Sequence, residues 1–150
     1  MSSWRDTVSI QAQEDLDGLL EPALGFAQEM LEKYREFFPF AVVVDQSGEQ
    51  GMVGGSADVE RPDSNDLIRL IIAGLVEQRS ELRAAAVVAD VRLPELGSDA
   101  VRLRLEHAEG VSLEVVVPYR IRRFRRVVEF DDMMVSDTER TIWVTDHTTS

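Results

Sequence analysis

Cysteine is absent from this chain of 150 residues, and histidine occurs only twice. The lack of cysteine excludes disulfides, thiolate nucleophiles and iron–sulfur ligation. His107 is predicted at an exposed hairpin tip between Glu106 and Glu109, and His147 lies in a tail rich in threonine and serine. An exposed tip does not exclude water from a reaction, and no Gly-x-Ser-x-Gly sequence marks a serine nucleophile. We therefore expect no catalytic residues and a protein that is not an enzyme.

Long apolar segments and a leader sequence are also lacking. The longest apolar run, residues 70–76, is far shorter than the roughly 20 residues of a membrane-spanning helix, and the N-terminal segment is polar rather than signal-like. With a net charge of -12 and a pI near 4.5, the chain would repel nucleic-acid phosphate over most of its surface. We expect a cytoplasmic protein that binds neither nucleic acid nor membrane.

The signals for metals and cofactors are weak. Glu129, Asp131 and Asp132 offer oxygen ligands suited to magnesium or calcium, but the spacing of a calcium loop is missing. The glycine-rich residues 51–55 are not followed by a Lys-Ser or Lys-Thr pair, so they do not predict a phosphate-binding loop. Neighbouring carboxylates are typical of a solvated face. We expect neither a metal site nor a cofactor.

The sequence does contain a concentrated positive charge. Residues 1–118 hold 22 acidic and 10 basic side chains, and residues 127–150 hold six acidic and one basic. Between them, Tyr119 and Phe124 are interleaved with arginines, so this segment could hold a carboxylate or phosphate by forked hydrogen bonds or stack on an aromatic partner. The alternative is an exposed segment that pairs with carboxylates of the same molecule. The five arginines, called the arginine strip below, complete this candidate binding site: Arg120, Arg122, Arg123, Arg125 and Arg126.

Apolar periodicity predicts a first helix over residues 16–38. Pro22 interrupts the stripe, so the helix either begins near Glu21 or kinks there. Pro39 ends the helix, and residues 40–44 are β-branched and apolar, so a buried strand follows. Three aromatics at this junction are expected to belong to the core rather than to a binding site: Phe37, Phe38 and Phe40.

A return strand is predicted at residues 51–53, and a second helix starts just after Pro62 with Asp63 or Ser64 as its cap. Three β segments follow at residues 85–93, 100–107 and 111–117, the last two forming a hairpin. In the second of them Arg102, Arg104 and Glu106 alternate with apolar residues and should lie on a wet face. Residues 120–130 fit either a helix or a strand, and Trp143 should pack the 140–144 segment back onto the body.

These elements indicate an α+β fold with a five-stranded, mainly antiparallel sheet and two principal helices, in the order α-β-β-α-β-β-β plus a C-terminal extension. We place a single domain at residues 13–144, between flexible tails at residues 1–12 and 145–150. The element order over residues 13–119 resembles that of roadblock/longin or profilin-like domains. That resemblance carries no residue motif, so it implies a fold and no function.

At the level of residues, the chain resembles a family of small uncharacterised bacterial proteins. The resemblance rests on Tyr-Arg-Glu-Phe-Phe-Pro-Phe at residues 34–40, Val-Pro-Tyr-Arg at residues 117–120 and the Ile-Trp pair at residues 142–143. It implies a bacterial protein and attaches no activity to it.

Three classes of function follow from these observations. The leading one is a non-enzymatic protein-interaction module (adaptor, chaperone or immunity-like) that forms a homodimer, with one copy's arginine strip on the other's acidic patch. The alternative is a small-molecule sensor that holds an anionic ligand through residues 120–126, and an enzyme is third. A deep apolar pocket at the arginines would favour the sensor, whereas a flat apolar patch or an exposed strand edge would favour the module.

Overall fold

The computed structural model describes residues 8–54, 63–124 and 127–144. Within these ranges α1 is Ile10–Tyr34 and α2 is Ser64–Gln78, which a 3-10 turn at Arg79–Glu81 joins to the third strand. The α+β class predicted from the sequence is confirmed. The strands are β1 Phe40–Asp45, β2 Gln50–Gly54, β3 Leu82–Leu93, β4 Ser98–His107, β5 Ser112–Ile121, β6 Val128–Phe130 and β7 Met134–Asp137.

All strand pairings are antiparallel, and the order across the sheet is β2-β1-β3-β4-β5-β6, with β7 also paired to β5. Tyr119 lies opposite Phe130, and Val116 lies opposite Met134. Between these pairs, three residues (131–133) therefore lie opposite two residues of β5 (117–118). One extra residue on one strand is a β-bulge, so β6 and β7 form one edge strand that the bulge interrupts. The predicted number of five strands is therefore wrong, because the weak alternation after Pro118 hid two short strands.

Helix α1 begins at Ile10 rather than near Glu21, and Pro22 lies in its interior. Proline has no N–H, so the carbonyl of Gly18, four residues earlier, lacks its helical donor. The Nε2 group of Gln50 in β2 donates to that carbonyl at 2.9 Å. The sheet thus supplies the hydrogen bond that the proline removes, and the helix continues through it.

The helix ends agree only partly with the sequence. Helix α2 begins where predicted, because the carboxylate of Asp63 accepts from the N–H groups of Asn65 and Asp66 at 2.8 and 3.3 Å. Helix α1 includes residues 10–12 of the segment predicted as an N-terminal tail. Residues 1–7 and 145–150 of the two predicted tails lie outside the described residues.

The two helices lie on opposite faces of the sheet. Helix α1 buries its apolar stripe against β1, β3 and β4 in the larger core, and α2 packs on the other face of β1 and β3. Phe40 is fully buried between the rings of Phe26 and Phe37, with centroid distances of 4.7 and 5.7 Å in edge-to-face geometry. The prediction that this junction belongs to the core is confirmed for Phe37 and Phe40, while Phe38 is half-buried.

Helix α2 covers only one half of its face of the sheet. It packs on β1 and β3, and Ile142 and Trp143 extend this layer near Leu82. Among the described residues, no helix packs closely on the part of this face that β4, β5 and β7 form. We call this part the open face. Its outward side chains include Arg102, Arg104, Glu114, Val116, Arg120 and Met134, and Glu129 of β6 lies opposite Arg120.

Candidate interaction surface

A polar cluster lies at the tip of the β4–β5 hairpin, under the start of α1. The carboxylate of Asp15 accepts from Arg83 Nη2 at 2.8 Å and is hydrogen-bonded to His107 Nε2 at 2.9 Å. The hydroxyl of Ser9, which caps α1, donates to the carboxylate of Glu109 at 2.6 Å. His107 is only 4% exposed, so the prediction of a solvated histidine is wrong. His107 is buried because α1 begins early enough to cover it, whereas residues 108 and 109 of the turn are exposed.

Both ring nitrogens of His107 are occupied. The N–H of Glu109 donates to Nδ1 at 3.1 Å, so Nδ1 is an acceptor and the ring proton of the neutral imidazole lies on Nε2, facing Asp15. A general base needs a nitrogen lone pair that can reach a substrate. No lone pair is left in this arrangement. The cluster therefore joins α1, β3 and β4 and has a structural role.

Glu106 precedes His107 on the strand and consequently points to the opposite face of the sheet. Its Oε1 accepts from the N–H groups of Thr141 and Ile142 at 2.9 and 3.1 Å. Its Oε2 accepts from those of Ile142 and Trp143 at 3.1 and 2.6 Å. One carboxylate thus holds three successive backbone amides of the C-terminal segment.

The burial of Glu106 corrects a second expectation. Its side chain was expected on a wet face, but residues 141–143 cover it and leave the residue 3% exposed. The packing predicted for Trp143 is confirmed, since its indole N–H donates to the Arg79 carbonyl at 3.2 Å.

The arginine strip lies at the other end of the same hairpin. Tyr119 and Arg120 belong to the last residues of β5, and Arg122 and Arg123 follow in an exposed turn with Phe124. The last two members of the strip, Arg125 and Arg126, lie outside the described residues.

Pairing within the strip is incomplete. The guanidinium of Arg122 binds the carboxylate of Glu129 on β6, and this hydrogen bond raises the pKa of Arg122 and lowers the pKa of Glu129. No ion pair joins Arg120 or Arg123 to a residue in the described part of the chain. At least these two guanidiniums therefore remain available to an anionic group.

Tyr119 faces inward beneath the strip. Its hydroxyl donates to Asp90 Oδ1 at 2.7 Å. Burial raises the pKa of Asp90 to about 6, and the negative charge of Asp99 acts in the same direction, while the Tyr119 hydrogen bond lowers it. Burial and the Asp90 contact both raise the pKa of Tyr119, so its hydroxyl stays protonated. Tyr119 thus anchors the strip to β3 rather than facing a partner.

The clefts beside the arginines are shallow and contain carboxylates. A cleft of 230 Å³ is lined by Arg120 together with Glu129 and Asp131. A second, of 520 Å³, is lined by Arg122, Arg123 and Phe124, and again by Glu129. A third, of 350 Å³, has Asp99 in its wall. These carboxylates oppose the binding of a small anion because they add like charge at the same place.

An exposed apolar surface continues from the turn along the sheet edge. Phe124 is 95% exposed, and Val127 is 43% exposed. On the neighbouring edge strand Met133, Met134 and Val135 are 46%, 47% and 51% exposed. Edge strands also present unpaired backbone groups to an additional strand or segment. The strip therefore lies beside an exposed strand edge with apolar side chains.

Sequence reasoning missed two arginines of this region. Arg102 and Arg104 on β4 lie on the same face as Arg120, because Arg102 is opposite Val116 and Arg104 opposite Glu114 in β5. The short turn of the β4–β5 hairpin nearly fixes the register of the two strands. That register could have shown from the sequence that Arg102 and Arg104 share a face with Arg120. The positive charge is thus a surface that spans two strands, and not only a segment.

The described residues contain no group of three or more histidine and carboxylate side chains placed to hold a metal ion. None of their helices has both the length and the apolar character needed to cross a membrane. Comparisons with protein-family models, with curated proteins and with solved structures found no match to this chain. The described surface is therefore the basis on which a function can be assigned.

Proposed function

We propose that this chain is a non-enzymatic protein-interaction module, with an adaptor, chaperone or immunity-like role. It binds a second copy of itself or another protein through the turn at residues 122–124 and the adjoining edge strand. The observation that carries this proposal is the exposure of Phe124 beside Arg123 and the apolar edge residues Met133, Met134 and Val135. Aromatic residues and arginine are enriched at protein interfaces and dominate their binding energy.

The surface also combines both signs of charge. Residues 129–139 carry five acidic side chains and no basic one, next to the basic turn. A two-fold dimer places the same surface of two copies together, so one copy's arginines can meet the other's carboxylates. Such complementarity guides association and makes it sensitive to salt. The sensor alternative has weaker support, because each arginine-lined cleft contains a carboxylate.

The test compares two double variants with the same change in charge. Arg122→Ser/Arg123→Ser removes the turn's charges, and Arg69→Ser/Arg140→Ser removes two exposed arginines elsewhere. We expect the first variant to lower the sedimentation mass or to lose a captured partner at low salt, and the second to behave as wild type. Thermal unfolding checks that both are folded. Association unchanged by the first variant at low and at high salt would contradict the proposal.

A further inference from the structure

The open face has the composition of a binding surface rather than of an ordinary solvated sheet face. Arg102 stands between Ala89 and Val116 in one cross-strand row, and that row continues to Met134 on β7. The next row toward the strip contains Ala100 and Pro118, both buried. Apolar side chains thus lie close to the sheet on this face, and the longer arginine side chains project beyond them.

The charges of this face are not balanced within the described chain. Arg104 Nε lies 3.3 Å from Glu114, but no ion pair or hydrogen bond joins the guanidinium of Arg102 to a described residue. Burial and the charge of Arg104 lower the pKa of Arg102, while the charge of Glu114 opposes the shift. A half-buried cation without a contacting carboxylate is costly, and an anionic group supplied from outside would remove this cost.

The dimensions of the open face fit one helix. Strands lie about 4.8 Å apart, so β4, β5 and the edge strand span roughly 10 Å between their outer axes. A helix with its side chains is about 10–12 Å wide. Because α2 occupies the β1–β3 half of this face, one further helix can lie beside it and complete the layer. Sheets commonly bury their apolar faces under helices in this way.

We propose that the open face binds an acidic, amphipathic helix of a partner protein. Its apolar side would cover the half-buried Val116 and the exposed Met134, and one of its carboxylates would pair with Arg102. This inference rests on the proposed function and names the partner's chemistry.

A second copy of the chain does not fit this face. Two open faces laid together would bring together two surfaces that each carry more arginines than carboxylates. The outward side of α1 is acidic, with Glu14, Glu21 and Glu29 exposed, but its apolar stripe is buried in its own core. Docking that helix on the open face would also be a head-to-tail contact, which leads to rings or filaments rather than a closed dimer.

The probe is a synthetic helical peptide of about 18 residues, roughly 27 Å long, with leucine along one side and glutamate along the other. The control peptide carries lysine in place of glutamate. We expect the glutamate peptide to bind the full chain and the lysine peptide not to bind, as measured by fluorescence anisotropy. Arg102→Gln should weaken binding about tenfold, since a partly buried charge pair would lose one member, and Arg69→Gln on the far side of α2 should leave it unchanged.

The outcomes separate this inference from the proposed function. No binding of the glutamate peptide, or equal binding to wild type and Arg102→Gln, overturns the helix-binding face and leaves the turn's role in association to its own test. If peptide binding depends on Arg102 but association is unaffected by Arg122→Ser/Arg123→Ser, the helix-binding role of the open face is supported and the proposed role of the turn in association is contradicted. Melting of Arg102→Gln at the wild-type temperature confirms that a binding loss is not unfolding, and Arg102→Lys, which keeps the charge, should retain most of the affinity.

Discussion

The two ends of the β4–β5 hairpin carry charge in opposite ways. At the tip, Asp15 and Glu106 are buried, and their carboxylates are fully engaged by Arg83, His107 and backbone N–H groups. At the other end the described arginines of the strip, Arg120, Arg122 and Arg123, are exposed. The charges of Arg120 and Arg123 meet no carboxylate at ion-pair distance within the described residues.

This difference separates charges that hold the fold from charges that can bind another molecule. Buried charges are stable only when every partner is present, so the tip cannot exchange its partners without unfolding locally. Exposed arginines contribute little to stability and can change partners freely. The single histidine of the described residues, His107, belongs to the first group, and the candidate interaction surface belongs to the second.

The largest expected effect is at the tip, where Asp15→Ala leaves Arg83 and the His107 Nε2–H without their acceptor. We expect the free energy of unfolding to fall by about 3 kcal/mol, since breaking a buried ion pair leaves an uncompensated polar group. Urea denaturation at pH 7 measures it, and Glu14→Ala, an exposed neighbour on α1, is the control. A loss below about 1 kcal/mol would mean that the charges at the tip contribute no more to stability than exposed surface charges do.

A smaller effect is expected from Glu106→Gln. The amide keeps one acceptor oxygen but turns an NH₂ group toward the N–H donors of residues 141–143, so the variant should lose about 1–2 kcal/mol. The loss should be local, with faster hydrogen exchange at the amides of these three residues and little change in α1. Glu95→Gln, an exposed carboxylate, is the control. Unchanged exchange at residues 141–143 would show that the carboxylate does not hold the segment.

The third expected effect appears only as a dependence of stability on pH, and it concerns Asp90, whose pKa is raised to about 6 from an ordinary 3.8. Between these values the folded state holds the proton more tightly than the unfolded state, so this group's contribution to stability is largest below pH 4 and is lost as the pH rises through 6. Asp90→Asn cannot lose a proton, and it should therefore gain stability relative to wild type from pH 4.5 to pH 7.5.

The measurement is urea denaturation of wild type and Asp90→Asn at both pH values, with Asp131→Asn as an exposed carboxylate for comparison. A difference between wild type and Asp90→Asn that stays constant with pH would show that Asp90 keeps an ordinary pKa. In that case the end of the sheet under the strip would be less buried than the structure indicates.

Local signals predicted those features of the fold that neighbouring residues determine. The Asp63 cap of α2, the core position of Phe40 and the β4–β5 hairpin each depend on a few adjacent residues, and each is present. Residues 10–12 of α1 were assigned to the tail because residues 1–12 lack a sustained apolar period. Pro22 left a start near Glu21 or a kink as alternatives, since Gln50, which compensates for the proline, lies 32 residues from Gly18. Such a distant donor leaves no local pattern.

The candidate surface was predicted in part. The strip itself is contiguous in sequence, so its exposure followed from charge density alone. In the edge strand beside it, β6 was left open between helix and strand, and β7 was missed. The two are three and four residues long, too short for an alternating pattern to be recognised. His107 was misplaced since its partner Asp15 is 92 residues away, and only the packed fold brings the two together.

The carboxylate of Glu106 also constrains the order in which the molecule can be completed as it is made. The amides that it binds follow 35 to 37 residues later in the chain. At roughly 5–20 residues per second, the ribosome adds them about 2 to 7 seconds after Glu106 itself. Late in that interval, once β6 has been made, the α1 layer has all its elements, whereas the α2 layer still has a carboxylate without donors at its edge. Closure of that layer is thus a late event in synthesis, and a nascent chain that stalls before residue 141 would expose the apolar side chains that Ile142 covers.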